Sequence, residues 1–249
     1  MNNYDRIARF YDVDMARNMA FDDVGFYAAA VRAGAGRTLE LGCGNGRILL
    51  ALGGLGLEVV GVDASATMLR ALRSKATALG IVAPPLCRMD VRALAFQAAF
   101  RTVLCPYSLV TYLTSDTDRM RMLDGVRAAL QPDGCLIVDA FVPRPVTASA
   151  HYTLDYSRPF ENGELLRWKR ITPAGACNRI ERRYEQRGAS GAIIDVVEIA
   201  EEIRPFAPED LRRTLRGHGY EVEGEWWDYG TGSASNAQFF TARARPRPV

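Results

Sequence analysis

The stretch Arg37-Thr-Leu-Glu-Leu-Gly-Cys-Gly-Asn-Gly-Arg47 constrains the fold of this chain more than any other. A short apolar strand runs into three glycines separated by single residues, and residues 48 to 52 then read as a helix. Gly42, Gly44 and Gly46 can take positive φ and, lacking Cβ atoms, let another molecule approach the backbone. The helix start behind them presents unpaired N–H groups. A small ligand is expected across the loop; the alternative is a plain connection whose glycines only relieve packing. A dinucleotide fingerprint, GxGxxG, would place its third glycine where Arg47 stands, whereas here the glycine falls one residue early. Glu40, at the end of the strand, adds a carboxylate that suits a cationic ligand better than a pyrophosphate.

The segment Leu39-Glu-Leu-Gly-Cys-Gly-Asn-Gly46 resembles the first motif of the class I S-adenosylmethionine-dependent methyltransferases, an acidic residue followed by GxGxG. The resemblance implies an α/β fold, a doubly wound seven-stranded sheet ending in an antiparallel hairpin. It also implies S-adenosyl-L-methionine as cofactor and S-adenosyl-L-homocysteine as product. Cofactor contacts are implied at Glu40, Gly42, Cys43, Gly44 and Gly46, and further along at Ala64, Met68 and Cys105.

Length and composition set the frame. A chain of 249 residues can bury one sizeable core without a second domain. Charged residues make up 24% and the formal net charge is only +2, so no electrostatic footprint of a nucleic-acid partner stands out. Five widely spaced cysteines without a CxxC pair argue against a disulfide framework or zinc site. No metal is expected. The amino terminus lacks an apolar leader and Glu58 interrupts the longest apolar run, so no membrane partner and a cytoplasmic location are expected.

In chain order, an N-terminal helical cap over 1–35 holds a helix from about Phe21 to Val31. In similar methyltransferases such a segment folds over the cofactor, and its tyrosine-aspartate pairs resemble Tyr4-Asp5 and Tyr11-Asp12; the bland reading is aromatic packing. The run from Leu57 ends at Asp63, with Ser65 as N-cap of a helix from Met68 to Leu79. At a strand end beside the first loop, Asp63 can accept both hydroxyls of a ribose, or simply cap the helix. A third short strand, 84–92, carries Asp90; the resemblance assigns Asp90 to the adenine amino group and the Val91 backbone to the ring, against a turn cap. A fourth strand stops at Pro106, a helix follows from Asp116 to Leu130, and Gln131-Pro-Asp-Gly134 turns into the strand 135–141. An antiparallel β insertion over 145–204 reads as three long strands, at 164–171, 178–187 and 192–204. It should form a lid over the carboxyl edge of the sheet, or bury its apolar face in a homodimer. A helix from Pro208 and two strands, 220–228 and 238–244, complete a single domain over 1–249.

By layout the chain is similar to small-molecule methyltransferases, including sugar N-methyltransferases of antibiotic pathways. The resemblance implies methyl transfer to a nitrogen or oxygen of a small-molecule acceptor, by in-line displacement that needs positioning rather than a triad. A general base can assist, and Tyr11, Tyr107 and His151 are the candidates. Cys105-Pro106 reverses the order of one well-known arrangement in base-carbon methyltransferases, and the motif 105–108 matches amine-methylating nucleic-acid enzymes poorly. An RNA base methyltransferase is therefore the second reading, and an NAD-dependent oxidoreductase the third.

Overall fold

The computed structural model describes residues 3–247, so the first two residues of the expected N-terminal cap lie outside the described residues. The chain opens with α1 (Asn3–Ile7), a 3-10 turn, α2 (Tyr11–Asn18) and α3 (Asp23–Gly34). The last of these starts two residues later than the periodicity suggested. Asp22 caps it, its side chain accepting the Gly25 N–H at 2.8 Å, and Phe21 packs edge-on against Phe239 instead.

The α/β alternation follows: β1 (Thr38–Leu41), α4 (Arg47–Gly54), β2 (Val59–Asp63), α5 (Ala66–Ala78), β3 (Leu86–Arg88), β4 (Phe100–Cys105), α6 (Asp116–Ala129) and β5 (Leu130–Phe141). All four residues of β1 are buried, as a central parallel strand requires. Residues 131–134 do not form a separate turn. They make an irregularity within β5, exposed at residues 131–133, which pairs Leu130 with Phe100 and then Cys135 with Thr102.

The insertion has four antiparallel strands rather than three: β6 (Thr153–Phe160), β7 (Gly163–Ala174), β8 (Cys177–Arg187) and β9 (Ile193–Ile203). The strand missed by periodicity, β6, is an edge strand with a register shift between Leu154 and Tyr156 and a proline at 159, so its alternation is broken twice. The chain ends with α7 (Pro208–Gly217), β10 (Tyr220–Trp227) and β11 (Phe239–Pro246).

Seven strands lie in the order β10-β11-β5-β4-β1-β2-β3. Those from β5 to β3 are parallel, and β11 and β10 are antiparallel additions. One face is covered by α6 and α7 through Met122, Leu123, Leu211 and Leu215; the other by α3, α4 and α5 through Tyr27, Leu49, Leu52 and Leu72. The order reverses between β1 and β4, and a crevice at the carboxyl ends of two such strands is where open α/β sheets bind ligands.

The second sheet is tied to the first through the N-terminal helices. Phe10 stacks on Tyr184 with ring centroids 5.3 Å apart and joins Ile7, Tyr156, Leu165 and Ile199 in a separate apolar cluster. The apolar side of the insertion therefore rests on α1 and the turn after it. Full burial of a Phe side chain contributes about 1.5–3 kcal/mol to that docking.

Candidate active site

The three glycines after β1 all sit at positive φ, 63° at Gly42, 53° at Gly44 and 87° at Gly46. Gly46 is also a packing requirement, since a Cβ there would lie 2.6 Å from Leu72 Cγ. The loop is held to β2 by the Cys43 N–H, which donates to the Val62 carbonyl at 3.0 Å. The Gly44 N–H donates to Asp63 Oδ2 at 2.9 Å, and the Ser65 N–H to Asp63 Oδ1 at 2.7 Å. Asp63 thus braces both the glycine loop and the start of α5. Burial pushes its carboxyl up, and the two backbone N–H groups pull it back. Ser65 caps α5 as expected, accepting the Met68 N–H at 3.0 Å, and its hydroxyl donates to Asp5 of α1.

Glu40 is 3% exposed and its Oε2 has no hydrogen-bond partner. Burial pushes its carboxyl up to about 8, against the pull of the Arg47 charge. Arg47 itself is engaged bidentately by Asp23 at 2.7 and 2.5 Å. The Oδ1 atom of Asn45 is likewise buried and unpartnered, while its Nδ2 donates to Asp12 at 2.9 Å. An orphaned carboxylate oxygen is costly in an apolar setting. A cationic amine is the ligand group that satisfies it, and a pyrophosphate would meet it with like charge. These residues are chemically compatible with S-adenosylmethionine: Glu40 would face its ammonium, Gly42 and Gly44 would let it approach the backbone, and Asp63 would accept ribose hydroxyls.

The other expected cofactor residues divide. Met68 is buried against the loop, its Cε 3.3 Å from where a Cβ on Gly44 would lie. Ala64 is exposed next to Asp63. Asp90 caps the 3-10 turn that begins at Val91, accepting the Arg92 N–H at 2.9 Å and pairing with the Arg92 guanidinium at 2.6 Å. That pairing holds its carboxyl below the usual range, so the turn-cap alternative is satisfied here whatever Asp90 does for adenine. Cys43 and Cys105 point their thiols into the core on opposite faces of the sheet, so only their backbones can border a ligand. Burial pushes both thiols up, which disfavours a thiolate at Cys105.

A cavity of about 590 Å³ opens between the N-terminal helices, the ends of β4 and β5, and the insertion sheet. Tyr11 and Tyr107 line it. His151 does not: it is exposed in the segment before β6, and the structure engages its carbonyl with the Ser149 hydroxyl at 2.6 Å. The sequence placed it near the site because the insertion begins there, whereas the structure leaves it outside the cavity lining. Tyr11 is pushed up by burial, with Tyr107 the next contributor.

Two buried carboxylates organise the surroundings, and neither was identified from sequence in this role. Asp14 accepts the Tyr184 hydroxyl at 2.7 Å, Arg167 Nη1 at 2.6 Å and the Tyr156 hydroxyl. Asp139, on β5, accepts the N–H groups of Tyr107 and Ser108 and the hydroxyls of Tyr27 and Tyr229. An aspartate in an otherwise apolar strand such as residues 135–141 is the available signal, because a buried charge needs partners. Among the described residues no cluster of three or more His, Cys, Asp or Glu is placed to hold a metal ion. Among the described residues no helix is long and apolar enough to cross a membrane.

A parallel sheet extended by an antiparallel pair, with a glycine loop after β1 and acidic residues ending β1 and β2, defines the class I methyltransferase fold. Residues 38–134 match the family described as Methyltransferase domain. The putative methyltransferase YqeM of Bacillus subtilis (strain 168) is 28% identical over 137 residues; that match covers 55% of this chain and about half, 54%, of YqeM. A solved S-adenosylmethionine-dependent methyltransferase from Clostridium acetobutylicum ATCC 824 superposes with a TM-score of 0.80 at 16% identity, covering 98% of this chain and 99% of that one. The sugar N-methyltransferase KedS8 from Streptoalloteichus sp ATCC 53650 superposes with a TM-score of 0.73 at 22% identity, covering 95% and 93%. The chain shares the fold of these solved S-adenosylmethionine-dependent methyltransferases, and its residues 38–134 carry the match to the methyltransferase domain family.

Proposed function

We propose that this protein transfers a methyl group from S-adenosylmethionine to the nitrogen of a small amine-bearing molecule, with an amino sugar as the leading acceptor class. The observation that carries this reading is the cavity of about 590 Å³, large enough for a sugar-sized molecule, walled by the insertion and by the N-terminal helices, one of which, α2, also bonds to the glycine loop through Asp12 and Asn45. When bound, the cofactor supplies an electrophilic methyl group on a sulfonium. The chain's part is to hold that group and the acceptor in line and to keep water out.

Nitrogen is favoured over oxygen by the ionisable groups around the cavity. A hydroxyl acceptor must surrender its proton to a base as the new bond forms. Burial pushes the tyrosines Tyr4, Tyr11 and Tyr112 up, so their hydroxyls keep their protons. Asp14 is committed to three donors. Asp155, despite its burial, is held low by the Arg167 and Lys169 charges. An amine that enters uncharged brings its own lone pair, and its surplus proton can leave to water after transfer. The likeness to KedS8, itself described as a sugar N-methyltransferase, agrees with this acceptor.

The test is a panel of amino sugars, free, nucleotide-linked and glycopeptide-linked, each offered with its hydroxyl counterpart and analysed by mass spectrometry. Methylation of an amine and not of its hydroxyl counterpart is expected; equal methylation of both would reject the nitrogen assignment. A homodimer through the insertion is the further part of the reading. Ile193 and Ile194, 53% and 64% exposed on the edge strand β9, support it, and light scattering of the Ile194→Lys variant checks it.

A further inference from the structure

Tyr107 and Ser108 are consecutive non-glycine residues in the left-handed region, with φ of 54° and 57°. That conformation is unfavourable for an L-residue and persists only where the surroundings over-determine it. Here both turn N–H groups are held by one side chain. Asp139, fully buried on β5, accepts the Tyr107 N–H at 2.9 Å on Oδ2 and the Ser108 N–H at 2.5 Å on Oδ1. Its Oδ2 also accepts the Tyr27 hydroxyl at 2.6 Å, from α3, and the Tyr229 hydroxyl at 2.8 Å, from the turn after β10. Ser108 closes the ring, its Oγ accepting the Phe141 N–H at 2.6 Å. Successive backbone N–H groups turned onto one anion form a nest, and here the anion belongs to the protein.

The clamped turn borders both halves of the site. Tyr107 lines the acceptor cavity, its ring 5.5 Å from Phe141, and Leu109 lies 3.0 Å from where a Cβ on Gly42 would stand. Resting on the methyl-transfer reading above, we propose that Asp139 is a positioning residue: by fixing the Tyr107–Ser108 turn it sets the spacing between the cofactor loop and the acceptor wall. It touches neither ligand, and its effect reaches the reaction through Tyr107 and Leu109.

Asp139→Asn tests this, because the amide turns an N–H group toward a backbone N–H that now faces a carboxylate oxygen. Turnover of the amino sugar found by the panel should fall by about tenfold or more, since small misplacements of reacting groups are costly. The acceptor KM and the calorimetric affinity for S-adenosylhomocysteine should stay within about threefold, the pattern of an interaction felt only in the transition state. Independently of turnover, hydrogen exchange should show the Ser108 amide protected in the parent and unprotected in Asp139→Asn, with the β1 and β4 amides unchanged. Tyr229→Phe, a milder change, should give an intermediate fall in turnover. A folded Asp139→Asn protein with parental turnover and a protected Ser108 amide would overturn the proposal. So would a parallel loss of turnover, cofactor affinity and protection across the whole sheet, which marks a merely structural role. If the parent methylates no amino sugar, the acceptor assignment fails, and Ser108 exchange still decides whether Asp139 holds the turn.

Discussion

The hydroxyl of Tyr184 donates to Asp14 Oδ2 at 2.7 Å, tying the third strand of the insertion to the N-terminal helix that also reaches the glycine loop through Asp12. With Tyr156 and Arg167 added, three insertion strands converge on one carboxylate that is 6% exposed. Removing one member of a buried ionic network strands the others and costs about 3–5 kcal/mol. Asp14→Ala should therefore lower the melting temperature and speed hydrogen exchange in β7 and β8. Tyr184→Phe, which deletes one hydrogen bond, should cost about 1 kcal/mol. Equal effects of the two changes would contradict this hierarchy.

Glu40 makes a pH prediction. Burial raises its carboxyl from 4.5 to about 8. The folded protein keeps a proton that the unfolded chain releases near 4.5, so this group's contribution to stability is full below that pH and is lost as pH rises through about 8. Denaturant midpoints should fall across this window in the parent more than in Glu40→Gln. Binding of a cationic amine favours the ionised form, so calorimetry at neutral pH in buffers of different ionisation enthalpy should detect proton release on S-adenosylmethionine binding. Glu40→Gln should abolish that release.

Asp63 and Asp90 should separate cleanly. Asp63 braces the Gly44 and Ser65 N–H groups, whereas Asp90 is side-chain exposed by 40% and occupied by Arg92. Asp63→Ala should weaken cofactor binding by about 1.5–3 kcal/mol, the range for hydrogen bonds to a charged group. Asp90→Ala should weaken it much less. Calorimetric dissociation constants for the two variants decide the matter, and a larger loss from Asp90→Ala would reverse the assignment.

Gly46→Ala should destabilise more than Gly44→Ala. Both positions have positive φ, which costs an L-residue about 1–2 kcal/mol. At Gly46 the new methyl also meets Leu72 and Leu50 at 2.6 and 2.9 Å, whereas at Gly44 its nearest neighbour is the end of the Met68 side chain at 3.3 Å. Thermal melting of both variants gives the comparison.

The glycine loop, the Ser65 cap and the final antiparallel pair were legible because each depends on neighbours within a few positions: φ at Gly42, a hydroxyl three residues before Met68, alternation in residues 220–227. The two carboxylate hubs were not. The donors to Asp139 come from Tyr27, Tyr107, Ser108 and Tyr229, and those to Asp14 from Tyr156, Arg167 and Tyr184, separations that no local pattern encodes. The position of His151 outside the cavity lining was illegible for the same reason. Its place at the start of the insertion is a fact of sequence, whereas its exposure follows from the path of residues 142–152 over the surface.

The most direct measurement is a pair of calorimetric titrations of the purified protein, one with S-adenosylmethionine and one with NAD. A glycine loop with its third glycine at Gly46, an orphaned Glu40 oxygen and Asp63 at the end of β2 predicts one site for S-adenosylmethionine, weakened in Asp63→Ala and without an NAD counterpart. Binding of NAD with comparable affinity, and none of S-adenosylmethionine, would contradict the account.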